Sequence, residues 1–180
     1  MNTDTGRVLI VDDEVNIRAG LRDVLAKDGH FVKEARGGAE ALTTLETFEC
    51  DAAIVDIRMP DMSGIELLEN IRARWPSIAV IMLTGHGTME TAMVAVKKGA
   101  HDYLLKPARS EAIRESMATA VAASRRRVAE AHLLESLRVG LSRLEDPAAV
   151  HAAETPSSVE ARQLLVGDLH IDLGSHEVRR

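Results

Sequence analysis

Asp12 and Asp13 end one apolar run, Arg7-Val-Leu-Ile-Val11, and Asp56 ends another, Asp51-Ala-Ala-Ile-Val55. Short apolar runs between helical segments read as strands buried in a parallel sheet. Open α/β sheets bind ligands just beyond the carboxyl ends of their strands, so both acidic sites face one crevice. Three carboxylates gathered there repel one another unless a cation joins them. A hard divalent ion answers that charge, and Mg²⁺ keeps open positions for phosphate oxygens. Thr84, after a fourth run, adds a hydroxyl, and Lys106, after a fifth, adds a point positive charge suited to phosphate. Together these groups suit phosphoryl transfer, with Asp56 as both nucleophile and metal ligand. Each group alone has a plainer role. Asp12 and Asp13 suit helix N-caps, Thr84 a strand end, Lys106 a solvated charge and Tyr103 a core aromatic.

Five strand-then-helix units must position these groups. The strands are predicted at Arg7–Val11, Phe31–Ala35, Asp51–Val55, Ile78–Leu83 and Asp102–Leu105. The first helix runs from about Glu14 to Asp28, with Ile17, Leu21, Val24 and Leu25 on one face and Gly29 as its stop. Gly37-Gly38 turns into a second helix, Gly64 opens a third, and a fourth runs from Thr88 to Lys98 before Gly99. Alternation of this kind implies a parallel sheet with helices on both faces and right-handed crossovers. A site at the ends of the first and third strands fits the flavodoxin-like order 2-1-3-4-5.

The last helix is unusually long, from Ser110 to Glu145 without a proline. Ile113, Met117, Ala120 and Val121 can cover the sheet. Leu134, Leu137, Leu141 and Leu144 keep a 3-4-3 spacing suited to a short coiled-coil seam or to packing on a second domain. Asp146-Pro147 stops the helix. Residues 147–162 read as a flexible linker, and Leu169, Ile171 and Leu173 then alternate toward a hairpin turn at Gly174-Ser175.

The chain has 180 residues, 46% of them hydrophobic and 28% charged, as in a globular protein. A net charge of −6 argues against a global nucleic-acid footprint. Arg125-Arg126-Arg127 reads as a solvated face. The lone Cys50 cannot form an internal disulfide and reads as a small half-buried hydrophobe. No secretory pattern or membrane-spanning run is visible, so the expected location is the cytoplasm, with no membrane partner.

Val11-Asp-Asp-Glu14, Val55-Asp-Ile-Arg-Met-Pro-Asp-Met-Ser-Gly64, Leu83-Thr-Gly85 and Tyr103-Leu-Leu-Lys-Pro107 together resemble the receiver domain of two-component response regulators. The resemblance spans residues 6–122. It implies that Asp56 is the phosphoacceptor for a sensor histidine kinase. Mg²⁺ would be held by Asp13, Asp56 and the backbone carbonyl of Arg58, with Asp12 acting through a metal-bound water. Thr84 and Tyr103 resemble a switch pair that alters the face made by the fourth helix, fifth strand and fifth helix. Lys106-Pro107 resembles a motif whose peptide bond is cis. Arg58 and His86 stand where side chains in this family flank the path for water, and are expected to tune the phosphoryl lifetime. Homodimerisation is expected through that switch face or through the long helix.

Residues 163–180 resemble the opening hairpin of an OmpR-type winged-helix output domain whose recognition helix is absent. The expected whole is a DNA-binding response regulator shortened at its C-terminus, with residues 123–146 as the extended helix. DNA binding is expected only with a complete output domain. The alternatives are a stand-alone receiver that regulates a protein partner or relays phosphate, and a metal-dependent aspartyl phosphatase with Asp61 as its acid/base candidate. A receiver would not be an enzyme acting on other molecules, since its turnover is confined to its own phosphoryl group.

Overall fold

A computed structural model describes residues 5–85 and 87–145, together with the strand backbones at 164–166, 169–171 and 178–179. The chain alternates β1 (Arg7–Val11), α1 (Val15–Lys27), β2 (Phe31–Ala35), α2 (Gly38–Thr47), β3 (Ala52–Val55), α3 (Gly64–Arg74), β4 (Ala79–Thr84), α4 (Met89–Lys97), β5 (Asp102–Leu105) and α5 (Ser110–Glu145). The strands form a parallel sheet in the order β2-β1-β3-β4-β5. This is the flavodoxin-like arrangement expected, with its switch point between β1 and β3.

Alternate residues of each strand point to opposite faces, and each face carries its own core. On one side Leu9, Val11, Val55 and Met82 pack with Leu45 of α2, Leu67 and Ile71 of α3, and Ala95 of α4. On the other, Val8, Ile10, Ile54 and Ile81 pack with Leu21 and Leu25 of α1 and with Ile113, Met117 and Val121 of α5. β4 is buried from end to end, as a central strand covered on both faces must be. Thr84 is its last residue rather than the first after it. α1 and α4 are followed by Gly29 and Gly99, both at φ +86°, the left-handed conformation that glycine adopts without a Cβ penalty.

The arginine triplet is tied into the molecule. Arg125 donates to the Thr5 carbonyl, Arg127 to the Ser77 carbonyl, and Arg126 pairs with Glu130. Cys50 is half-buried and donates to the Ala52 carbonyl. Burial pushes its thiol up to about 12, which leaves it protonated and inert at neutral pH.

Two compact units divide the chain, one through Leu133 and one from Leu134. In the second, β6 (Leu164–Val166), β7 (Leu169–Ile171) and β8 (Val178–Arg179) make a three-stranded antiparallel sheet. The predicted linker and the Gly174-Ser175 turn lie outside the described residues. Leu134, Leu137 and Leu141 of the helical stripe are 67%, 55% and 61% exposed; the Leu144 side chain lies outside the described residues. Among the described residues no helix is long and apolar enough to cross a membrane.

Candidate functional site

The crevice is built at the carboxyl ends of β1, β3, β4 and β5. Parallel pairing sets Val11 beside Val55, so the residues that follow them, Asp12 and Asp56, lie side by side at one sheet edge. Asp12 is 1% exposed and Asp56 6%. Asp13 stands at the exposed rim. Carboxylate oxygens of Asp12, Asp13 and Asp56 all lie within 4.8 Å of one another. Hard oxygen donors at this spacing suit a small divalent cation such as Mg²⁺.

Lys106 reaches back from the end of β5. Its Nζ lies 2.6 Å from Asp12 Oδ2, 3.0 Å from Asp56 Oδ2 and 3.5 Å from Glu14 Oε1. Asp12, Asp13 and Asp56 with Lys106 leave a formal charge of −2, which one divalent ion balances. Burial raises the Asp12 carboxyl above its ordinary value, against the lowering pull of Lys106 and of the Glu14 amide. For Lys106 burial opposes the charge. Its hydrogen bonds and proximity to Asp12 and Asp56 outweigh that cost and hold the ammonium above its ordinary value. The Lys106–Pro107 peptide bond is cis.

Asp12 is not the N-cap of α1, a position that Glu14 holds without a side-chain cap bond. Asp12 Oδ1 accepts from the Glu14 amide at 2.9 Å, shaping the turn into α1, while Oδ2 faces Lys106. Glu14 and Arg18 belong to the site's edge and were not singled out beforehand. Arg18 donates to the Asp12 carbonyl at 2.6 Å and pairs with Glu34.

Thr84 is 1% exposed at the end of β4. Register pairs Met82 with Tyr103 and Thr84 with Leu105, which puts Thr84 and Tyr103 on the same face of the sheet. The Tyr103 ring packs against the α2/α3 core, and its hydroxyl lies 3.0 Å from Thr91 Oγ1 on α4. Thr91 also forms a reciprocal capping box with Thr88 at the start of α4. No sequence signal pointed to Thr91. The Arg58 side chain is exposed, and its amide makes a long 3.5 Å contact to Asp56 Oδ1. His86 lies outside the described residues.

Asp61 does not face the nucleophile as an acid/base partner. Its two oxygens accept from the Gly38 and Ala39 amides at 3.2 and 2.9 Å, at the start of α2. Those hydrogen bonds, led by Ala39, hold its carboxyl below the usual range. The aspartyl phosphatase reading loses the proton donor it required.

A parallel five-stranded sheet with an acidic crevice and a lysine at its switch point defines the class of signalling domains to which the sequence pointed. A family model described as response regulator receiver domain matches residues 8–118. The chain belongs to that family. It is 43% identical over 102 residues to a putative response regulator NtrX-like protein of Rickettsia bellii, covering 56% of this chain and 21% of that one. It is 32% identical over 167 residues to the alginate biosynthesis transcriptional regulatory protein AlgB of Pseudomonas putida, covering 92% of this chain and 36% of that one. The crystal structure of a receiver domain protein from Methanospirillum hungatei superposes with a TM-score of 0.65 at 30% identity, covering 68% of this chain and 98% of that one. The chain thus spans about a fifth to a third of the length of these two relatives.

Proposed function

We propose that Asp56 accepts a phosphoryl group from a phosphohistidine of a sensor kinase. The observation that carries this reading is a buried Asp56 carboxylate, gripped by Lys106 and within 4.8 Å of two further carboxylates. An Asp56 oxygen attacks phosphorus, a P–O bond forms, the P–N bond breaks, and the imidazole leaves with the electron pair. Asp12, Asp13, Asp56 and the Arg58 carbonyl would hold Mg²⁺, which when bound neutralises the phosphoryl oxygens. Lys106 keeps its proton throughout and offers a fixed positive charge to the product. Catalysis of this kind is positioning and charge stabilisation.

Thr84 then bonds a phosphoryl oxygen, and Tyr103 gives up Thr91 to turn inward. That couples the acyl phosphate to α4, β5 and α5, a local charge event read by a bistable element. Met89, Met93, Val96 and Leu105, all exposed, give that face an apolar surface for a second copy or an effector. Arg58 and His86, each two residues beyond a site residue in sequence, are expected to set the phosphoryl lifetime.

The output we infer is transcriptional control, through a region that begins beyond the receiver domain at 6–122. The alignment with AlgB supports this, because it runs over 92% of the chain and so past α5's sheet-covering part. Within this reading 123–146 is a connecting helix, 147–162 a linker and 163–180 the start of an output segment. An OmpR-type winged helix is the second reading, favoured by the antiparallel strands β6–β8.

Incubation with a small phosphodonor and Mg²⁺ tests the central claim. One acid-labile phosphoryl adduct per chain is expected on the wild type and none on Asp56→Asn. Turnover of organic phosphates without an adduct would overturn it.

A further inference from the structure

The Asp61 carboxylate sits 23 residues along the chain from the helix it caps. α2 begins after Gly37, which has no side chain to satisfy the first amides of the helix. Asp61 supplies the missing acceptor from the loop between β3 and α3, taking the Gly38 and Ala39 amides in a two-pronged contact. The two glycines are the seat for this contact. A Cβ on Gly37 would lie 2.6 to 2.8 Å from the Asp61 carboxylate atoms, and one on Gly38 would lie 2.9 Å from Met62 Cβ and Sδ. The helix start and the loop therefore fit together only without side chains at 37 and 38.

That loop is the one that carries Arg58. Its start is fixed by Asp56, whose amide donates to Val11. At its far end Ser63 caps α3 and the Gly64 amide donates to Ile57. Ile57, Met59 and Met62 pack against the core, leaving Arg58 and Asp61 outward. Between its two ends, the Asp61 contact is the polar tie that holds the loop to a second element among the described residues.

We infer that Asp61 is a positioning residue for Mg²⁺: by docking the β3–α3 loop onto α2 it holds in place the Arg58 segment, whose carbonyl the proposed function reads as a ligand and whose amide meets Asp56. This rests on the phosphoacceptor reading for its purpose, but not for its test. Groups that orient metal ligands from one step away typically change affinity about 10- to 100-fold when removed.

The test is Mg²⁺ affinity by titration calorimetry, without phosphodonor, on the full chain and three variants. Asp61→Ala is expected to weaken Mg²⁺ binding about tenfold and to speed hydrogen exchange at the Gly38 and Ala39 amides. Asp61→Asn also removes the charge but keeps one acceptor, so it should recover a clear part of the loss. Gly38→Ala keeps the charge and pushes on Met62, and should weaken binding as well. Unchanged affinity in Asp61→Ala overturns the inference, and so does equal weakening by Ala and Asn, which would assign the effect to charge. A wild type that binds Mg²⁺ yet never forms the Asp56 adduct overturns the phosphoacceptor reading and leaves this comparison standing.

Discussion

Asp12 is the residue whose environment conflicts most with its charge. It is buried, it faces Asp56 and Asp13, and Lys106 offsets the burial only in part. Its pKa is raised above the ordinary 3.8, so the folded chain binds that proton more tightly than the unfolded chain. The stability contribution is then fully present below 3.8 and is lost as pH rises through the folded value. Ionised Asp12 therefore costs stability at neutral pH. Asp12→Asn is expected to raise the urea midpoint at pH 7 in chelator-treated buffer, with the gain shrinking as pH falls toward 3.8. A lower midpoint at pH 7 would mean that the Lys106 pair outweighs burial. Such a conflict is common where a protein keeps a site ready for a ligand.

At the scale of elements, the crevice depends on how closely α3 approaches the end of β3. Gly64 opens α3 against the backbone of Asp56. A Cβ there would collide with the Asp56 carbonyl oxygen and lie 2.8 Å from its carbonyl carbon and 2.9 Å from Ile57 Cα. All three are backbone atoms and cannot rotate away. Gly64→Ala is expected to cost about 3 kcal/mol, the upper range for overpacking, and to weaken Mg²⁺ binding by displacing Asp56. Denaturant unfolding checks the first effect and calorimetry the second. A fully stable variant would show that α3 can slide without moving β3. At the start of α4 the Thr91 and Tyr103 hydroxyls link that helix to β5, beside the Thr88–Thr91 capping box. An element held by few bonds at its N-terminus is suited to shift when one of them is lost.

For the whole molecule, the charge of the crevice links metal binding to folding. A ligand that binds only the folded chain stabilises it by mass action. At a Mg²⁺ concentration about 100 times its Kd the gain is about 2.7 kcal/mol, or roughly 10 °C in Tm for a domain near this size. Thermal melts with and without Mg²⁺ should show that shift in the wild type and lose most of it in Asp13→Asn, whose side chain is exposed and carries little of the core. An equal shift in both would remove Asp13 from the ligand set.

Strands, helices and the acidic trio were legible in the sequence because each rests on a local pattern. Apolar runs marked β1, β3 and β4, and the strand-end rule then brought Asp12, Asp56, Thr84 and Lys106 to one edge. The 3.6-residue spacing of Ile113, Met117, Ala120 and Val121 marked the buried face of α5. Other features had no local signal. Asp61 reads at best as an acid/base candidate near the nucleophile until folding turns it to the Gly38 and Ala39 amides. Thr91 reads as one more helical threonine until Tyr103 arrives beside it. The same holds for Lys106, legible as a cation near the crevice but not as the bridge between Asp12 and Asp56. Local periodicity decides which residues face a core and which end a strand, because it needs only the geometry of a helix or a strand. Pairings between distant polar groups depend on how the elements pack, and only the tertiary structure decides those.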